Sequence, residues 1–179
     1  WSLANLGWAQ GLQPLPPLEP PKAEQVELGK YLFFDPRLSG DGGVSCDSCH
    51  DPASGWGDGK ALSTGYPGSE YFRNAQTLLN AAYYKRSYWD GRLAGSDLAT
   101  VVRDHLTEAH FMQADGRLLA ERLKQVPEYV EMFKKAFGGE PTFGRILNAV
   151  TAFLRTIVSR NAPIDRYLKG DAAALSPEA

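Results

Sequence analysis

Only two cysteines occur in this chain, Cys46 and Cys49, and both fall within residues 39–72, a stretch with eight glycines and neither helical nor strand periodicity. A segment that long without its own secondary structure is uncommon inside a compact domain. It is usually functional, or ordered by something other than a hydrogen-bond ladder. The fold must therefore accommodate a large loop and hold it from outside. Two cysteines in 179 residues exclude a disulfide-built scaffold. A chain of this length, 43% hydrophobic, buries a core without such staples and suits one domain. Its 19 basic and 21 acidic residues leave a net charge of −2, so no broad positive field exists and no nucleic-acid partner is expected. No apolar run reaches the roughly 18 residues a membrane helix needs, so no transmembrane segment is expected in this chain.

On either side of the loop the pattern is helical. After Pro21, Val26, Gly29, Lys30 and Phe33 recur at i, i+3, i+4 and i+7, Leu28, Tyr31 and Leu32 widen the face, and Asp35-Pro36 stops the helix. Past residue 74, helices are expected over 77–82, 97–106, 116–125, 128–137 and 143–158, with a terminal turn over 163–168. No segment alternates convincingly with period 2. The expected fold class is mostly α, with long loops and no substantial sheet. Residues 1–21 read as a Pro-rich extended arm, because Pro14, Pro16, Pro17, Pro20 and Pro21 deny helix. Trp1 and Trp8 favour a strap lying against protein over a solvated tail. The first residue is Trp1 rather than methionine, as expected of a processed, tagged or trimmed chain, removal of an export signal being one such route.

Cys46-Asp47-Ser48-Cys49-His50 carries the chemistry. Two thiols at i and i+3 reach both vinyl groups of one porphyrin from a single turn of backbone. His50 is then placed to give its imidazole to the iron from the same side, the pattern of c-type haem attachment. Three alternatives compete. A redox dithiol would follow a strand in a βαβ context; structural zinc would need His105 and His110 as further ligands; an incidental disulfide explains neither His50 nor the glycines. A covalent porphyrin also accounts for the loop, since backbone wrapped on a large apolar plate needs no sheet or helix of its own. Aromatic residues including Phe33, Trp56, Tyr66, Tyr71, Tyr84 and Tyr88 are available to line such a plate. Arg73 and Arg92 are candidates for bidentate pairing with the propionates, a surface ion pair being the alternative for each.

Several further segments extend the pattern. Leu28-Gly29-Lys30-Tyr31-Leu32-Phe33-Phe34-Asp35-Pro36-Arg37-Leu38-Ser39, the cysteine motif, Arg73-Asn74-Ala75-Gln76-Thr77-Leu78-Leu79-Asn80-Ala81, Trp89-Asp90-Gly91-Arg92 and a tail through Asp165-Arg166-Tyr167-Leu168-Lys169-Gly170-Asp171 occur in this order. Together they closely resemble the bacterial di-haem cytochrome c peroxidase/MauG family. The resemblance runs from about residue 24 to the end and implies that residues 22–179 are a single cytochrome c-like haem domain with long haem-wrapping loops. It matches the family's amino-terminal, peroxide-reacting half. A second Cys-x-x-Cys-His is absent from this chain, so the second haem domain would come from elsewhere in a longer protein or from another subunit. The resemblance also implies a periplasmic or otherwise exported protein, a small electron-donor protein as partner and peroxide as substrate. Cys46 and Cys49 match the thioether cysteines and His50 the proximal iron ligand. Trp89 matches the tryptophan between the two haems that is implicated in electron passage. Asn74 matches an asparagine of an inter-domain calcium site, whose other protein ligands lie in the second domain.

The departures from the family bear directly on activity. Tyr66 falls where peroxidases of this family supply a movable distal histidine. Val101 and Phe111 fall where the catalytic glutamine and glutamate are expected, and neither can shuttle the proton that peroxide cleavage requires. His105 falls where MauG-like proteins place a proline over the iron, which makes it a candidate sixth ligand. His110 is the second distal candidate, followed by Met112, Met132 and Tyr66. Two functions are therefore carried forward. In one, the chain takes part in electron transfer and in peroxide reduction, with Trp89 conducting electrons and Glu108 or His110 serving as acid/base. In the other, a six-coordinate haem held by His50 and a distal histidine transfers electrons and reduces no peroxide.

Overall fold

A computed structural model describes residues 11–66 and 68–178. The expectations for Trp1 and Trp8 lie outside these residues. The described residues divide into two compact units, one spanning Pro20–Val158 and the other combining the stretch up to Glu19 with residues 159–178.

The larger unit is a helical assembly. Helix α1 (Ala23–Phe33) starts just beyond Pro20-Pro21 and buries Leu28, Gly29, Leu32 and Phe33 on one face. Its partner is α5 (Phe143–Leu154), whose N-terminus is capped by Thr142 accepting from the Arg145 amide and whose buried face carries Ile146, Ala149, Val150 and Phe153. Gly29 sits at their crossing. A Cβ there would lie 1.9 Å from the Ala149 carbonyl oxygen, so the two backbones touch where only hydrogen fits. Helix α2 (Leu98–Thr107) is capped by Asp97 and α3 (Gly116–Lys124) by Asp115, which accepts from the Arg117 and Leu118 amides. Helix α4 (Pro127–Phe137) has Pro127 in its first turn and ends on left-handed Gly138. Leu119, Leu123, Tyr129 and Phe133 close the core between these helices and α1. In the smaller unit, α6 (Pro163–Leu168) is followed by a single 3-10 turn, Ala172–Ala174.

The fold is mostly α, as expected, with two strands of two residues each. Strands β1 (Arg86–Ser87) and β2 (Leu93–Ala94) pair antiparallel, Arg86 opposite Ala94 and Ser87 opposite Leu93. Two helix expectations need correction. Residues 77–82 form no α-helix. Asn80 takes φ of 63°, and a single 3-10 turn, Ala81–Tyr83, follows it. Within this apolar run Thr77, Leu78 and Ala81 line a cavity. The 143–158 helix ends at Leu154, and Ile157 lies beyond it, offering its carbonyl to the Asn80 amide at 2.9 Å.

Among the described residues of the glycine-rich stretch the regular elements are the 3-10 turns Cys46–Ser48 and Pro52–Ser54 and two isolated bridges, Asp51–Gly57 and Thr64–Glu70. It is held from outside. Arg122 on α3 donates to the carbonyls of Arg37 (2.6 Å), Ser39 (2.7 Å) and Gly40 (3.0 Å), and Gly40 donates to the Met112 carbonyl at 2.8 Å. One planar guanidinium thus satisfies three otherwise unpaired acceptors. We expect Arg122→Ala to destabilise the domain by about 2–3 kcal/mol and Arg122→Lys to recover less than half of that, read by thermal unfolding of the haem-loaded protein. Equal stability of the lysine variant and the native protein would refute the fork geometry as the cause.

Candidate haem site

The Cys46–Ser48 turn places the motif. The Cys49 and His50 amides both donate to the Cys46 carbonyl, at 3.2 and 3.0 Å, so the two cysteines and His50 are carried on one turn of backbone. Both cysteines are free. Burial, reinforced by the Asp47 and Cys49 charges, pushes the Cys46 thiol up to about 12, and burial also raises Cys49. A catalytic dithiol needs the opposite, a stabilised thiolate. Among the described residues no three His, Cys, Asp or Glu side chains gather as a metal-binding group, which is unlike a four-ligand structural zinc site.

The cysteines and His50 line a cleft with about 190 Å³ of cavity volume. Phe33 of α1, Val150 and Leu154 of α5 and Leu98, Val102 and Leu106 of α2 supply apolar wall, and Tyr66, Tyr71, Tyr84, Tyr88 and Trp89 add aromatic rings. Of the residues expected from sequence, Arg73, Asn74, Arg92, Val101, His105, His110, Phe111 and Met112 also line it. Glu108 does not. It lies just past α2 and pairs with His110 at 3.2 Å, both side chains substantially exposed. Met132 packs against the hydrophobic core, away from the cleft. Met112 is buried with its Sδ 4.0 Å from the Cys46 Sγ, beside the attachment point.

Two half-buried histidines lie close together. The ring centroids of His50 and His105 are 6.2 Å apart. His50 Nδ1 lies 3.1 Å from the Trp56 carbonyl and His105 Nδ1 lies 2.8 Å from the Val101 carbonyl. Each carbonyl can only accept, so each Nδ1 carries the hydrogen and Nε2 keeps the lone pair. Burial, with help from the His105 charge, pushes His50 down to about 4, against the Trp56 carbonyl. Burial lowers His105 as well, against the Val101 carbonyl. Both imidazoles are therefore neutral near pH 7 and competent as ligands. A metal–imidazole bond of about 2 Å on each side fits within the observed separation. Donor chemistry, tautomers and apolar walls fit an iron porphyrin joined at Cys46 and Cys49.

His105 sits inside a stack. Phe111 covers one face of its ring at 4.5 Å and 7°, and Tyr88 lies nearly parallel at 5.5 Å and 10°. Val101 and Phe111 thus both contact His105, one through its carbonyl and one through its ring. His110 lies beyond the end of α2, stacked on Tyr71 at 5.1 Å. Trp89 is 57% exposed, and its indole Nε1 donates to the Asn74 carbonyl at 2.9 Å. The Asn74 amide donates to the Lys60 carbonyl. Arg92 is paired with Asp90 at 3.1 Å, and Arg73 lies over Phe72.

The profile of the di-haem cytochrome c peroxidase family matches residues 23–173. The chain belongs to that family. The chain is 55% identical over 176 residues to the cytochrome-c peroxidase IdrP2 of Pseudomonas sp. (strain SCT), covering 98% of this chain and 48% of that relative. It is 40% identical over 168 residues to the methylamine utilization protein MauG of Methylorubrum extorquens, covering 93% and 47%. Among solved structures, a MauG-like protein associated with microbial copper homeostasis superposes with a TM-score of 0.81 at 28% identity, covering 99% of this chain and 52% of the other. The chain spans about half the length of the curated relatives it matches. Among the described residues no helix is long and apolar enough to cross a membrane.

Proposed function

We propose that this chain is the c-type haem domain of a redox protein, that its own chemistry is electron transfer, and that its iron is capped by His105. Cys46 and Cys49 would form the thioethers, His50 would be the proximal ligand and His105 the distal one. When bound, the haem supplies a one-electron couple, and two imidazole ligands set it lower than a histidine/methionine pair would. The chain's own residues orient and shield it. The Trp56 and Val101 carbonyls fix the two imidazole tautomers, and apolar walls exclude water. Arg73 and Arg92, both at the cleft, would pair with the propionates.

The carrying observation is the facing His50–His105 pair, with both Nδ1 atoms held by backbone carbonyls. A second reading, peroxide reduction, is favoured by the Glu108–His110 pair, which would act as acid/base if His105 left the iron. In either reading the exposed Trp89 would conduct electrons between this haem and a second haem domain or subunit, inward from that domain where peroxide is reduced here, and a small electron-donor protein would supply them. Asn74 would join a calcium site only when that second domain supplies the remaining ligands. Thioether attachment outside the cytoplasm puts the protein in the periplasm or another exported location.

Ferric haem-loaded protein is expected to give a low-spin visible spectrum that millimolar cyanide and peroxide leave unchanged over minutes. A high-spin band with rapid peroxide reaction would overturn the capped-iron reading and leave the peroxidase one.

A further inference from the structure

The geometry points to Tyr88 as a positioning residue that, by stacking, holds the His105 imidazole in its iron-binding orientation and keeps the sixth coordination position closed. This inference rests on the reading of His105 as an iron ligand.

Three observations carry it. Tyr88 opens the loop of residues 88–92 that joins β1 to β2, and it adopts φ of 66°. That conformation is costly for a bulky side chain and persists only where the surroundings impose it. Its ring lies almost parallel to His105, 10° apart at 5.5 Å between centroids, and Phe111 is stacked on the same imidazole at 4.5 Å and 7°. Arg92, from the same loop, places its guanidinium 3.5 Å from the centroid of the Tyr88 ring and is itself anchored by Asp90. The result is a cluster of four planar side chains, guanidinium, phenol, imidazole and phenyl, packed pairwise.

The ring, rather than the hydroxyl, does the holding. His105 Nδ1 already has its acceptor in the Val101 carbonyl at 2.8 Å, and the Tyr88 hydroxyl lies farther from it, at 3.4 Å. That hydroxyl is 3.5 Å from an Asp104 carboxylate oxygen. Hydrogen bonding to Val101 fixes the tautomer and anchors the Nδ1 edge of the ring. The near-parallel rings of Tyr88 and Phe111 restrict the tilt that this one bond still allows.

The test uses ferric haem-loaded protein, electron paramagnetic resonance and the rate of cyanide binding. Tyr88→Phe keeps the face and is expected to retain the native low-spin signal and a cyanide rate within about twofold of native. Tyr88→Leu removes the face, so a high-spin component should appear and cyanide should bind about tenfold faster or more. Tyr88→Met, which fills the volume without a ring, serves in its place if the leucine variant does not mature. A non-aromatic variant with the native signal and rate would overturn the proposal, as would a phenylalanine variant as perturbed as the leucine one. The His105→Ala protein separates the two levels of argument. If it is high-spin while Tyr88→Leu is native-like, the stacking role alone fails. A high-spin native protein overturns both.

Discussion

His105→Ala will turn the ferric haem from low-spin to high-spin, and cyanide will then bind at least about a hundredfold faster than to the native protein. The substitution removes the only imidazole that faces His50 across the cleft, 6.2 Å from it centre to centre, and places nothing else in reach. Met112 is the nearest thing to a rescuer, but its sulfur sits beside Cys46. His110 is stacked on Tyr71 and paired with Glu108. Added imidazole should restore the low-spin spectrum by occupying the vacated space. A low-spin spectrum in the alanine variant itself would refute the assignment, and His110→Ala would be the next protein to make. Peroxide turnover gained by His105→Ala and lost again on adding Glu108→Gln would identify the mouth pair as a working acid/base.

The second large effect is on stability. Gly29→Ala would place a methyl carbon 1.9 Å from the Ala149 carbonyl oxygen and 3.0 Å from the Phe153 Cβ. The first obstacle is backbone, so no side-chain rotation relieves it and the two helices must separate. We expect a loss of roughly 3 kcal/mol, or about 6–12 °C in the unfolding midpoint for a domain of this size, measured by calorimetry on haem-loaded protein. A midpoint lowered by less than about 2 °C would show that the crossing accommodates the methyl cheaply.

What the sequence revealed, and what it withheld, divides along physical lines. Helices whose apolar residues recur with the helical period were legible to within a few residues, while the side chains that cap them, Asp97, Asp115 and Thr142, emerge only in the structure. The run at 77–82 was misread because apolarity says only that a segment is covered. It does not distinguish a helix packed on protein from an irregular strip along a cofactor cleft, and the break depends on the left-handed Asn80. The cysteine motif was legible as a pattern, and the structure carries it on one turn of backbone. His105 was nominated only through the family resemblance, since a lone histidine has no sequence signature as a distal ligand. Its supports were invisible for a different reason. The acceptor on Val101 is a main-chain atom that every residue possesses, and the parallel rings of Tyr88 and Phe111 meet across 23 residues of chain. Such arrangements exist only in three dimensions. The side chains of Val101 and Phe111 carry no proton to move, but their contacts with His105 could not be read from their identity.

The touching backbones at Gly29 also have a bearing on engineering. Phe33, one turn along α1, and Val150 and Leu154 on α5 form part of the cleft wall, so the crossing sets the width of the pigment's berth. Any change that loosens or tightens the pair of helices will move those walls. If the cleft holds the haem as proposed, thermal robustness and redox potential would share one spacer, and libraries selected for one trait should be assayed for drift in the other.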